Sequence, residues 1–193
     1  MKKFLTVALM AIAVFLGASC TNKERQKMET MVETTTASDK NFMCDAYGCG
    51  YDWFETQITL NEYLDDENCT GTVASMSNVF QIQEEYDEGI DVKVITIEHS
   101  PSDMNVIVKD GFWIEDFPLL ENEVKITFRQ AWKRLNKANL PKPHSRKCVL
   151  RKEIGPRGCN PQYIFGNIHS QIYVDAVTGD VSDTNPAYKD IQE

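Results

Sequence analysis

The chain has 193 residues, a formal net charge of −9 and a hydrophobic share of 42%. Once an N-terminal leader is set aside, that is enough for one ordinary domain or two small ones sharing a core. The lack of a recognised nucleic-acid motif counts against nucleic acid as a partner. Beyond the leader no apolar run approaches the roughly 20 residues needed to cross a bilayer as a helix.

The first twenty residues carry the clearest address. Lys2 and Lys3 precede an apolar run from Phe4 to Leu16, followed by the small residues Gly17, Ala18 and Ser19 and then Cys20. The run is too short to span a membrane and has the layout of a cleaved leader. The pattern resembles a bacterial lipoprotein signal. It departs in one place: Leu16 is four residues before Cys20, and Gly17 holds the position where that signal usually has Leu. The resemblance implies that residues 1–19 are removed, that Cys20 becomes the lipid-bearing N-terminus, and that the protein is anchored to a cell-envelope membrane rather than spanning it. An ordinary secretory signal cut near Ala18 or Ser19 is the alternative, and leaves Cys20 a plain thiol.

Residues 20–43 are mostly polar and lack a sustained apolar period, so they read as a flexible tether, with a short helix over 23–33 as the other reading. Five cysteines follow Cys20, at 44, 49, 69, 148 and 159. In an oxidising compartment disulfides are the default expectation. Cys148 and Cys159 flank the turn residues 154–158 and are expected to pair across a hairpin. Cys44 and Cys49 bracket a short loop that can close locally, leaving Cys69 over. A metal site on Cys44, Cys49 and Cys69 lacks a fourth ligand, and no cofactor or metal is expected. An enzyme using Cys44, Cys49 or Cys69 would require a reactive, low-pKa thiol among them.

Region 44–121 reads as strands. Phe80–Glu84 alternates apolar and polar residues, Asp87-Glu88-Gly89 reads as a turn, and Val92–Glu98 reads as the next strand. Pro101-Ser102-Asp103 breaks it. Asp110-Gly111 between Val106–Lys109 and Phe112–Glu115 reads as a two-residue hairpin. Thr56–Tyr63 is ambiguous and is read as strand.

Region 122–193 opens with the clearest helix. Thr127 and Gln130 fit a capping box, Ile126 and Ala131 a hydrophobic staple. Phe128, Ala131, Trp132 and Leu135 share one face, and Pro141 and Pro143 end the helix. Strands are expected at Lys147–Glu153, Gln162–Phe165 and Gln171–Val174, and the Asp175–Val181 stretch carries turn chemistry.

Charge is segregated. Residues 45–123 hold nineteen acids against Lys93 and Lys109, a net of −17, whereas residues 125–158 hold eleven bases against Glu153, a net of +10. Two readings follow: the halves neutralise one another within the fold, or Arg129, Lys133, Arg134 and Lys137 form a basic face for an anionic partner. The acidic clusters at 65–67 and 84–91 lack calcium-loop spacing. His99, His144 and His169 sit in no metal-binding spacing, and no nucleophile, P-loop or dinucleotide motif occurs.

The order helix, two strands, then Ile172-Tyr173-Val174-Asp175-Ala176-Val177-Thr178-Gly179-Asp180-Val181 resembles the PepSY domain over roughly residues 122–183. Tyr173, Asp175, Thr178, Gly179 and Val181 carry the likeness. The two prolines and Cys148 between helix and strands depart from that pattern. The resemblance implies an α+β fold, with a helix packed on an antiparallel meander, and a non-catalytic module that binds or regulates peptidases at the cell surface. Asp175 and Gly179 are then turn residues. The expected protein is thus a lipid-anchored envelope protein with a protein partner. A structural component of an envelope complex is the alternative.

Overall fold

A computed structural model describes residues 30–86, 89–156 and 158–188. Helix α1 spans Met31–Tyr47. Strands β1 (Tyr51–Leu60), β2 (Val73–Tyr86), β3 (Gly89–Ser100) and β4 (Asp103–Asp110) follow, then the two-residue β5 (Asp116–Phe117). Helix α2 (Phe128–Lys137) leads into β6 (Lys147–Glu153), β7 (Gln162–Asn167), β8 (Ser170–Asp175) and β9 (Val181–Ser182). The fold is α+β: one antiparallel sheet in the order β4-β3-β2-β1-β6-β7-β8-β9, with β5 continuing the pairing of β6. The order is palindromic about the β1–β6 seam. On each side a helix precedes a four-strand meander.

Strand register fixes two faces. Ile97, Asn78, Thr56, Leu150 and Tyr163 lie directly opposite one another across five strands and therefore share a face. Both helices pack on that face. Trp132 and Phe128 of α2 lie 6.1 Å from the Phe165 ring, centroid to centroid. On α1, Lys40 Nζ sits 3.9 Å over the Trp53 ring, a cation–π contact whose burial pulls the lysine pKa down. The α1 carboxylate Glu33 accepts the Phe128 backbone N–H at 2.6 Å, so one helix caps the positive end of the other. Burial raises the Glu33 pKa above its ordinary value.

Helix α2 forms as its sequence dictates. Thr127 Oγ1 accepts the Gln130 N–H at 3.2 Å, and Gln130 Oε1 accepts the Thr127 N–H at 2.8 Å. Phe128, Ala131, Trp132 and Leu135 are its buried residues. The closing turn also follows its chemistry: Asp175 Oδ1 accepts from the N–H groups of Val177 and Thr178 at 2.8 and 2.9 Å, and Gly179 takes φ 78°, the left-handed conformation the turn requires.

Two expectations are corrected. Residues 31–43 are not tether but the greater part of α1, so the fold has two helices rather than one. The helix is held by the burial of Val32, Thr36, Asp39 and Met43 against the sheet rather than by a strong apolar stripe. The part of the tether at 20–29, the leader and Cys20 lie outside the described residues. Asp110-Gly111 does not turn β4 back on itself. The Trp113 N–H is instead taken by the Gln81 side chain at 2.8 Å, and the chain crosses the sheet to pair β5 with β6. The turn at 87–88 lies outside the described residues, but Tyr86 pairs with Gly89 as a two-residue hairpin demands.

Candidate binding surfaces and buried polar centres

Cys44 and Cys49 lie at disulfide-bonding distance, with their Cα atoms 4.2 Å apart, and clip the C-terminal end of α1. Cys148 and Cys159 do not pair; both are free thiols, as is Cys69. Strand geometry separates them. Cys148 opens β6, inside the core opposite Ile58 and Phe165, whereas the Cys159 thiol lies 3.8 Å from the carbonyl of Glu153, the last residue of that strand. Five residues of extended chain span roughly 17 Å, far beyond the ~7 Å Cα limit for a disulfide. Burial pushes the thiol pKa up for Cys69, Cys148 and Cys159, away from nucleophilic thiolate character.

The proposed basic face divides. Arg129 turns inward and donates from Nη1 to the Thr70 carbonyl at 2.8 Å, so it ties α2 to the loop after β1. Lys133, Arg134 and Lys137 are exposed and border, with Ile126 and Gln130, an open groove of about 210 Å³. The Arg134 guanidinium lies against the Asp175–Gly179 turn: a Cβ at Gly179 would meet its Cζ at 3.0 Å. Helix and turn thus make one surface.

Charge neutralisation between the halves occurs at the seam. On the helix-free face Arg151 of β6 faces Glu153 at 2.5 Å, Asp116 at 3.5 Å and Glu55 at 3.9 Å. Lys152 pairs with Glu123 at 2.7 Å. Three carboxylates share one guanidinium in a place nearly closed to water. Burial is the main cause that pushes Asp116 up to about 7; Arg151 opposes it and Glu55 adds to it. Burial likewise raises Glu55. For Arg151 burial acts downward, but the facing carboxylates outweigh it and raise the pKa. The outer acidic strands lie away from this seam.

A second polar centre lies under α1. The Asp39 side chain, 1% exposed as a residue, accepts from Asn78 Nδ2 at 2.7 Å and faces His99 Nε2 at 2.8 Å. Asn78 Oδ1 in turn accepts from Thr56 Oγ1 at 2.5 Å and Thr36 Oγ1 at 3.3 Å. Burial raises the Asp39 pKa, against the pull of Asn78 and His99. His99, at the end of β3, is thus tied to α1 through Asp39. The sequence signal for this centre was weak: polar Thr56 and Asn78 at inward strand positions are visible only once the register is known. The network can orient α1 on the sheet. Among the described residues, no group of three or more His, Cys, Asp or Glu is placed to hold a metal.

At the outer end of the helix-free face, β1 to β4 border an open concavity of about 460 Å³, lined mainly by hydroxyl, amide and carboxylate side chains. Sequence periodicity did not single it out, because alternating polar residues mark any solvated strand face.

No protein-family profile matches the chain, and no curated protein or solved structure matches it.

Proposed function

We propose that this protein is exported, is anchored to an envelope membrane through a lipid on Cys20, and acts as a binding and regulatory module rather than an enzyme, modulating a peptidase. The observation that carries the reading is the second half of the fold. There α2 lies against an antiparallel meander that closes on the Asp175–Gly179 turn. A helix packed on such a meander is what the PepSY resemblance implies. The exposed cations Lys133, Arg134 and Lys137 beside that turn supply a surface for an anionic partner.

The test is capture of the tagged full-length protein from its native envelope, with identification of partners at near stoichiometry. A peptidase that is inhibited on addition of the protein is the expected result. Intact bait with no peptidase partner overturns the regulatory reading. Reversing Lys133, Arg134 and Lys137 together should weaken the capture; Arg129 is left alone because it holds the fold.

A second reading, a component of an envelope assembly, is favoured by the separation of the acidic outer strands from the basic helix. It predicts a heteromer that dissociates as salt is raised.

A further inference from the structure

The sheet ends differently at its two edges. At one end stands β9, two residues long. At the other stands β4, eight residues long, which among the described residues has β3 as its one strand neighbour. Two contacts fix the direction of the β4 backbone groups. The Gly111 N–H donates to the Val92 carbonyl at 2.8 Å, and the Ser100–Asp103 pair closes a two-residue hairpin. Antiparallel ladders alternate, so residues 103, 105, 107 and 109 turn their backbone groups to β3, and Met104, Val106 and Val108 turn theirs outward. The Met104 N–H fits this pattern: the neighbouring Asp103 Oδ1 accepts it at 2.9 Å.

The side chains alternate as well. Val106 lies opposite Ile97 and so belongs to the helix-bearing face, together with Met104 and Val108. Helix α1 packs mainly on β1 and β2, and Met104 and Val108 stay 49% and 46% exposed. Asp103, Asn105, Ile107 and Lys109 lie on the helix-free face. Lys109 has no ion-pair partner among the described residues.

The two alternations make this strand complementary to itself. Antiparallel pairing of two copies edge to edge uses a two-fold axis perpendicular to the sheet, which keeps like faces together and passes through a residue. Centred on Val106, the pairing sets Asp103 opposite Lys109 twice, Met104 opposite Val108 twice, and Val106 opposite itself. The apolar pairs fall on the outward-turned backbone positions and exchange N–H···O=C bonds. The charged pairs fall between them, where side chains stand closest. Moving the axis to Asn105 sets Asp103 against Ile107, and moving it to Ile107 sets Asp103 against Gly111, so both shifts lose the charge match. Charges on a sheet edge commonly block pairing, but in the Val106 register these attract.

We propose that β4 is a homodimer interface: two copies pair over residues 103–109 about a two-fold axis at Val106 and join their sheets into one. On pairing, the Met104 N–H passes from Asp103 to the carbonyl of the partner's Val108, and the Asp103 carboxylate turns to the partner's Lys109. The other edge of each copy is the short β9, so pairing through β4 closes at two copies. The interface lies at the far edge of the sheet from β8 and β9 and does not depend on any peptidase.

The test is sedimentation velocity of the full chain in detergent over a concentration series. The native protein should form a two-copy species. D103K places lysines opposite one another and K109D places aspartates so; each should weaken the dimer at least about tenfold. Mixed one to one, the two variants should pair as tightly as the native protein, because every facing pair is again opposite in sign. Both side chains are exposed, so neither change puts the fold at risk. V106P removes an outward N–H that β3 does not use, and should abolish the dimer while the chain still melts cooperatively. A monomer at every concentration, as follows if another segment of the chain covers β4, overturns the proposal. So does a dimer indifferent to D103K and K109D, a dimer that survives V106P, or failure of the mixed variants to pair. Reversal of Lys133, Arg134 and Lys137 should leave the dimer unchanged, so its failure is distinguishable from failure of the regulatory reading.

Discussion

The two halves of this sheet solve the same architectural problem by different means. In the second half, α2 is specified locally: a reciprocal capping box starts it, and four apolar side chains on one stripe bury it. In the first half, α1 has no side-chain cap, and its buried positions include Thr36 and Asp39. It is held by tertiary polar contacts, with Asp39 bound to Asn78 and His99. A helix with local signals needs little from its surroundings, whereas one without them depends on what the sheet presents. The same contrast runs through the strands. The first half has long strands, fourteen residues in β2 and twelve in β3, with an open polar outer end. The second has six-residue β7 and β8 and a covered end.

This contrast can be broken or sharpened by experiment. The largest effect is expected at Trp132, which is 4% exposed and packed on Phe165 and against Gly71. Trp132→Ala should cost about 3–5 kcal/mol in denaturant unfolding. Because one sheet joins the halves, it should lower a single cooperative transition. A separate surviving transition from the first half would show that the halves are independent.

Asp39→Ala comes next. It strands the buried Asn78 amide and His99, and should cost about 3 kcal/mol, with faster amide exchange confined to α1. Uniform loss across both helices would contradict the dependence of α1 on this network.

The seam contributes a pH dependence. The folded pKa of Asp116, about 7, lies above the value of about 3.9 for an unfolded aspartate. The folded state therefore holds this proton more tightly. The stability so gained is complete below about pH 4 and is lost as pH rises through about 7. Burial raises Glu55, Asp39 and Glu33 as well, so they act in the same direction. Asp116→Asn should flatten the fall in stability between pH 4.5 and 8, measured by denaturant titration at each pH; an unchanged slope would remove Asp116 as its source.

The smallest effect belongs to the cap. Thr127→Ala should cost about 1 kcal/mol, because Glu33 still accepts the neighbouring Phe128 N–H. Combined with Glu33→Gln it should cost more than the sum of the two single changes, since both serve one helix end.

Local chemistry in the sequence determined the elements whose causes are local. The capping box, the stripe of Phe128, Ala131, Trp132 and Leu135, the β6 boundaries, the Asp175–Gly179 turn and the α+β class follow from propensity, spacing and side-chain to backbone bonding within a few residues. The Cys44–Cys49 proximity belongs here too, as a five-residue separation keeps the two thiols near one another. Only the tertiary structure decided the rest. Helix α1 exists because a polar network under it is completed by strands forty to sixty residues away. Asp110-Gly111 makes no hairpin because the Gln81 side chain captures the Trp113 N–H and leads the chain across the sheet. The expected Cys148–Cys159 bridge gave way to the length of β6, and Arg129 left the basic face to hold a loop carbonyl. For α1, the Asp110-Gly111 segment and Arg129 the deciding partner is distant in sequence, so no local pattern could display it.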